Sequence, residues 1–391
     1  MIAIIGGGPA AIGAALACRE RAVILERNEY CGKKLLISGA GQCNFTNSLS
    51  SEAFLARLGE FRNWLKPAFY ALNNRALMRI VEDSGCPFQI RDDGKVFPKS
   101  LRAQDLRDSL IKHIVQAGTK ISYESQVTRI IPAEEGFEIR IKGQSSLRAD
   151  KVIVCSGGAA WPQTGSDGSS YELARSLGIE VIPPAPALAS VTIEDYSAFR
   201  SCAGISLRSA GVAHEKKRLK GDLLFTHTGL SGPVILDKSY RMTAGDKLRI
   251  SIADSSDLLR LIQEHPKKQL RKIVPTLGLP QSLSCAILDY LGIPKDSLAA
   301  DFRASDRHRL CSALDALDLR IKSIQDIRTS MSDFGGVSLK EISSKSMESK
   351  KIPGLFFAGE SLAYSLPTGG FSIQMAFSTG YMAGRKAMNT I

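Results

Sequence analysis

Apolar positions along this chain of 391 residues come in short runs. Residues 2–5 (IAII) and 22–25 (AVIL) have the length and composition of strands buried on both faces. The small-residue stretch at 10–17 between them predicts a helix. Residues 151–155 (KVIVC) and 354–358 (GLFFA) repeat the buried-strand pattern, and each runs into glycine. Alternation at 121–131 and 137–141 predicts half-buried strands around a turn at 134–136. Residues 52–117 predict mostly helix, interrupted by a hairpin at 88–96, and a further helix runs from 171 to a stop at Gly178. Pro183, Pro184 and Pro186 mark a boundary. Beyond it, residues 190–253 hold short strands and turns, 255–318 read as helices, and 326–340 turn strand-like again. A last helix is predicted at 373–388.

The turn between the first strand and helix carries the most specific chemistry. In IAIIGGGPAAIGAALACRERAVILER, Gly6 permits a tight turn and Gly8 lets backbone N–H groups approach a pyrophosphate. Pro9 and Ala10 open the helix, whose positive end favours that anion. Ala11 stands where a third glycine often lets helix and strand pack closely. Glu26 ends the second strand about 20 residues after the first glycine, where a carboxylate holds ribose hydroxyls. Strand, turn, helix, strand and terminal acid together form a dinucleotide-binding fingerprint.

Two features select FAD over NAD. No second glycine fingerprint follows a strand, so no separate nicotinamide domain is expected. Near the C-terminus, LFFAGE (residues 355–360) and PTGGFSIQMAF (residues 367–377) supply a strand, a Gly-Glu pair, a glycine loop and a helix. The start of that helix would point its dipole at the flavin N1/C2=O edge. The expected fold is α/β, with a glutathione-reductase-like FAD-binding Rossmann domain that is discontinuous. It would span residues 1–186 and 345–391. A small β domain, barrel-like by the family resemblance given below, is expected at 187–254 and 319–344, and a small helical insert domain at 255–318.

GKKLLISGAGQCNFTN (residues 32–47) resembles the G-x-K-x-x-x-S-G-G-G-R-C-N-x-T-N signature of a bacterial family of NAD(P)/FAD-dependent oxidoreductases that includes aminoacetone oxidase and a bile-acid ene-reductase. FTHTGLSGPVIL (225–236), GGVSLKEI (335–342) and the C-terminal segments named above resemble the same family. The resemblance covers nearly the whole chain and implies FAD, a barrel-like domain and a small helical insert. Ala40 and Gln42 depart from the signature's Gly and Arg, and Ala363 stands where the family commonly carries Asp.

With the resemblance, the expected cofactor contacts are Gly6, Gly8, Pro9, Ala10, Ala11, Glu26 and Arg27 in the fingerprint. Lys33, Lys34, Gly39, Gly41, Gln42, Cys43 and Asn44 follow in the signature loop, then Val127, Ser156 and Gly157. Gly359, Glu360, Gly369, Gly370, Phe371, Ser372, Ile373 and Gln374 complete the set. Gly369 and Gly370 are expected against the flavin ring, with the Gln374 backbone N–H free to bond it. Cys43 lacks a nearby resolving cysteine and reads as a small packed residue.

Composition narrows the function. The hydrophobic content of 44% fits a globular protein, and no apolar run approaches a membrane span. Met1 abuts the first strand, so no signal peptide and a cytoplasmic location are expected. The eight cysteines show neither paired nor metal-ligand spacing, against both a disulfide scaffold and a zinc site. The net charge of +12 gathers at residues 214–220, 267–272 and 345–351 without interleaved aromatics. This is read as surface charge and not as specific nucleic-acid recognition. The expectation is an FAD-dependent oxidoreductase acting on a small organic molecule, with NAD(P)H as transient co-substrate in an ene-reductase reaction. Amine oxidation by O2, a tRNA-modifying flavoprotein and a flavin carrier without turnover are the rival readings. No catalytic acid or base, metal ligand or oligomeric state is assigned.

Overall fold

The computed structural model describes residues 1–389. It divides into two compact units, residues 1–186 with 327–391 and residues 187–326.

The first unit is built on a five-stranded, all-parallel sheet. Its order is Leu355–Phe357, Lys151–Val154, Ile2–Ile5, Ala22–Leu25 and Lys120–Ser122. Apart from Lys151, the central strands are apolar because both faces are covered. On one face the helix Pro9–Cys18 packs against the long last helix Phe371–Asn389. Only small side chains permit this approach. A Cβ on Gly13 would strike the Phe377 carbonyl, one on Gly380 the Ala10 carbonyl, and one on Gly384 would lie 2.5 Å from the Ala14 carbonyl oxygen. The small-residue run at 10–17 thus serves helix–helix contact as well as the fingerprint. A three-stranded antiparallel sheet (Val127–Pro132, Phe137–Ile141, Leu147–Ala149) leads into the sheet strand Lys151–Val154. A smaller one joins Thr46–Asn47, Lys95–Pro98 and Phe88–Ile90.

The second unit is a closed six-stranded barrel of strands Val191–Ile193, Gly229–Ser231, Lys217–Phe225, Ser206–His214, Lys247–Ser251 and Leu317–Ile324. Helices Leu258–Glu264, Leu270–Ile273, Gln281–Tyr290 and Ala304–Asp315 belong to the same unit. One apolar cluster runs through both parts, with Phe199, Phe225 and Leu248 from the barrel region meeting Leu283, Ile287 and Leu310 from the helices.

Two expected boundaries therefore shift. Residues 255–318 share the barrel's core and do not form a separate helical body. Residues 327–344 belong to the first unit, because Ser332–Val337 pairs with Val181–Ala187 and the Ala363 N–H bonds the Val337 carbonyl. Strand-like texture alone could not say which sheet this segment would join.

Candidate active site

The site lies in the first unit, around the C-terminal ends of its parallel strands. Gly6 ends the first strand with φ of +98°, and a Cβ there would lie 2.7 Å from the Cys155 carbonyl oxygen. Gly7, absent from the expected set, is equally constrained, since its Cβ would lie 2.5 Å from Cys31 Sγ and 2.6 Å from Glu26 Oε2. Gly8 faces open space, with nothing within 4 Å of the position its Cβ would take. The first bond of the following helix is Ile12 N–H to the Gly8 carbonyl. The N–H groups of Ala10 and Ala11 therefore have no acceptor among the described residues, although both residues are buried.

Glu26 is buried at the end of the second strand. Its Oε1 accepts from the Asn28 backbone N–H at 2.8 Å and side-chain amide at 2.7 Å. Burial pushes its carboxyl above the ordinary value, opposed by these bonds and by the Gly7 N–H. Arg27 is held by Asp167 at 2.6 Å. Val127 is buried in its strand. Gly157 has φ of +80°, and the buried Ser156 hydroxyl has no partner among the described residues.

The signature loop is a tight turn of left-handed residues: Gly39, Ala40, Gly41 and Cys43 have φ of 57°, 55°, 84° and 57°. Cys43 is fully buried, and burial pushes its thiol up to about 12, so it stays protonated. Asn44 spends its Oδ1 on the Val96 N–H. Gln42 accepts from the Arg91 guanidinium at 2.8 Å, and Arg91 stacks 3.9 Å from the centre of the Phe97 ring. A second residue thus brings positive charge to the place where the signature carries arginine. Lys34 binds Glu360 at 2.7 Å, joining this loop to the C-terminal return, while Lys33 lies 6.0 Å from the Tyr30 ring.

At the C-terminus, Gly359 has φ of +71° and its Cβ would lie 2.8 Å from that of Ala10. Gly369 and Gly370 also have positive φ. A Cβ on Gly370 would lie 2.5 Å from the Thr46 carbonyl oxygen and 2.9 Å from Asn44 Oδ1. The protein's own packing therefore already demands this glycine. The expected role of Gln374 is corrected too. Its N–H bonds the Gly370 carbonyl at 3.1 Å. Its fully buried amide bonds Thr46 Oγ1, the Leu72 carbonyl and Ser378 Oγ. It staples the last helix to the 46–47 strand. Among the described residues, no acceptor meets the first-turn N–H groups of Phe371, Ser372 and Ile373.

Sequence reasoning missed one group entirely. Asp333 is buried; its Oδ2 accepts from Tyr171 OH at 2.5 Å and from the Ala159 N–H at 3.0 Å, while Oδ1 has no partner among the described residues. The neighbouring Ser332 hydroxyl donates to Glu360 Oε1 at 2.9 Å. Burial, and then the Glu360 charge, push the Asp333 carboxyl above the ordinary range. An acid followed by Phe-Gly-Gly in a strand-like segment was the available signal.

The profile of the HI0933-like protein Rossmann domain matches residues 1–386. The chain belongs to this family. It is 28% identical to the ribosomal RNA dihydrouridine synthase of Escherichia coli K12 over 387 residues, covering 97% of this chain and 95% of that one. It is also 28% identical, over 410 residues, to the 3-dehydro-bile acid delta(4,6)-reductase of Clostridium scindens, covering 99% and 98% of the two chains. Among solved structures, FrdA of Escherichia coli quinol fumarate reductase shares the fold with a TM-score of 0.53 at 16% identity, over 99% of this chain and 69% of that one.

The chain is an FAD-dependent oxidoreductase with a Rossmann-type nucleotide domain. The residues present fit that cofactor. Open space above Gly8, acceptor-less N–H groups at Ala10 and Ala11, the buried Glu26 carboxyl and the unpartnered Ser156 hydroxyl line one end of the site. The free N–H groups of the last helix lie at the other. Among the described residues, no helix is long and apolar enough to cross a membrane, and no group of three metal-ligating side chains occurs.

Proposed function

We propose that the protein reduces a carbon–carbon double bond conjugated to a carbonyl, with NAD(P)H as the electron source. The observation that carries this reading is the pair of full-length relatives. One is named for making dihydrouridine and the other for reducing a delta(4,6) bile acid, and both names describe addition of two hydrogens to a ring alkene. FAD, when bound, would supply the hydride chemistry that links NAD(P)H oxidation to alkene reduction, with a proton from solvent completing the addition of two hydrogens. In this reading, the Ala10 and Ala11 N–H groups hold the pyrophosphate, Glu26 the adenosine ribose and Glu360 the ribityl chain. Glu360 would be oriented there by Lys34 and Ser332. The first-turn N–H groups of Ser372 and Ile373 would hold the flavin edge and favour negative charge on it.

The substrate has two readings, a free conjugated molecule and a uracil base within RNA. The second is favoured by the relative named for ribosomal RNA and by the net charge of +12. Incubation with NADPH and either a cyclic enone or ribosomal RNA from cells lacking this protein tests the reaction. Mass spectrometry of the products should reveal a gain of two hydrogens in one of them. Unchanged enone and unchanged nucleosides, together with turnover of a small amine under O2, would replace this reading by an amine oxidase.

A further inference from the structure

We infer that one wall of the barrel in the second unit is a docking surface for the phosphate backbone of RNA; the inference rests on the uracil reading above. The wall is formed by the neighbouring strands Lys217–Phe225, Ser206–His214, Lys247–Ser251 and Leu317–Ile324. Their alternation sorts the side chains cleanly. Val212, Leu248, Ile250, Leu319 and Ile321 point inward and are buried. The exposed positions between them include Arg218, Lys220, Lys247 and Lys322, and Lys216 and Lys217 extend the series at the hairpin tip.

None of these six cations has a carboxylate within ion-pair distance among the described residues. The acids on the wall are already engaged. Asp318 takes two bonds from Arg249, at 2.7 and 3.0 Å. Glu194 lies 3.7 Å from Arg320, and Asp222 accepts from the Ser209 N–H. Asp222, held by that amide alone, and Glu215, in the hairpin turn, add two exposed negative charges against the six cations. The wall therefore keeps a surplus of positive charge that its own fold does not consume.

Its relief suits a charged polymer. Register places Ala213 opposite Arg218 and Gly211 opposite Lys220, and on the other side Arg249 and Ser251 opposite the same two small residues. A low strip of Gly211 and Ala213 thus runs beside the cationic row of Arg218 and Lys220, with the paired Arg249 and the neutral Ser251 on its other side. Outward side chains recur about every 6.8 Å along a strand, and strands lie about 4.8 Å apart, so several cations can engage successive phosphates. Arginine adds paired donors to a phosphate. No aromatic side chain stands on the strip, so contact positions the RNA without reading its bases. The strip's small residues also offer nothing to insert among lipid chains, which favours RNA over an anionic membrane.

The test is fluorescence anisotropy of a labelled ribosomal RNA hairpin with the FAD-loaded full chain, between roughly 50 and 200 mM salt. Arg218→Glu with Lys220→Glu should weaken binding at least about tenfold and lower the salt slope by about 2. The milder Arg218→Gln with Lys220→Gln should move both in the same direction by less. Reduction of a free cyclic enone should be unchanged in both variants. Wild-type affinity in the reversed variant overturns the inference, as does wild-type protein that binds phosphatidylglycerol vesicles but not RNA at low salt. Charge-dependent RNA binding without any alkene reduction would leave the wall in place and remove the reaction; alkene reduction without RNA binding would do the reverse.

Discussion

Asp333 concentrates the tension between burial and charge in the first unit. It meets Tyr171 and the Ala159 N–H through one oxygen and nothing through the other, with Glu360 close by. Its carboxyl is raised, so its folded-state pKa lies above the unfolded one. The stability it contributes is complete below the unfolded value and is lost as pH rises through the folded value. Asp333→Asn removes the charge and keeps the acceptor for Tyr171. In urea titrations the variant should match the wild type near pH 3.5 and become the more stable protein toward pH 8; equal midpoints across that range would refute the assignment. The residue scale is also where the sequence was least transparent. Gly370 and Gln374 were read from the sequence as cofactor contacts. The fold also sets them against the Thr46 carbonyl and hydroxyl, which a one-dimensional reading cannot bring beside the last helix. The exposed contact between Gln42 and Arg91 was hidden for the same reason.

At the scale of elements, the contact between Pro9–Cys18 and Phe371–Asn389 joins the two ends of the chain. Gly380 and Gly384 are four residues apart and present one bare stripe to Ala10 and Ala14, while Gly13 answers from the other helix. Backbone atoms line the contact, and no flexible side-chain end can move aside. Gly380→Val should cost the first unit more than the about 1–3 kcal/mol of ordinary overpacking. Thermal unfolding followed by circular dichroism and flavin release should register the loss in both signals; a variant with unchanged midpoint and full FAD content would show that the helices do not meet this way. The strands and the N-terminal helix were legible because periodicity and the fingerprint are local. The partner of the small-residue face was not, because it lies more than 360 residues away in sequence.

For the whole molecule, the proline cluster at 183–186 lies where the chain leaves the first unit, and the apolar return at 355–357 is an edge strand of the parallel sheet. The point of return was misread. Residues 327–344 look like barrel strands in composition, yet their partner is Val181–Ala187. The helices after residue 254 look like a separate body, yet they share one apolar core with the barrel. Charge was legible as local clusters, the one at 214–220 among them, but not as a surface. The folding of the barrel turns scattered lysines and arginines into one wall, and this reopens the nucleic-acid reading that composition alone had set aside. The central claim remains the chemistry at the flavin, and an anaerobic stopped-flow experiment tests it most directly. NADPH should bleach the flavin absorbance of the purified protein, and a conjugated cyclic alkene or uracil-containing RNA should restore it without oxygen. A flavin that NADPH and NADH leave oxidised, but that a small amine bleaches, would contradict the account.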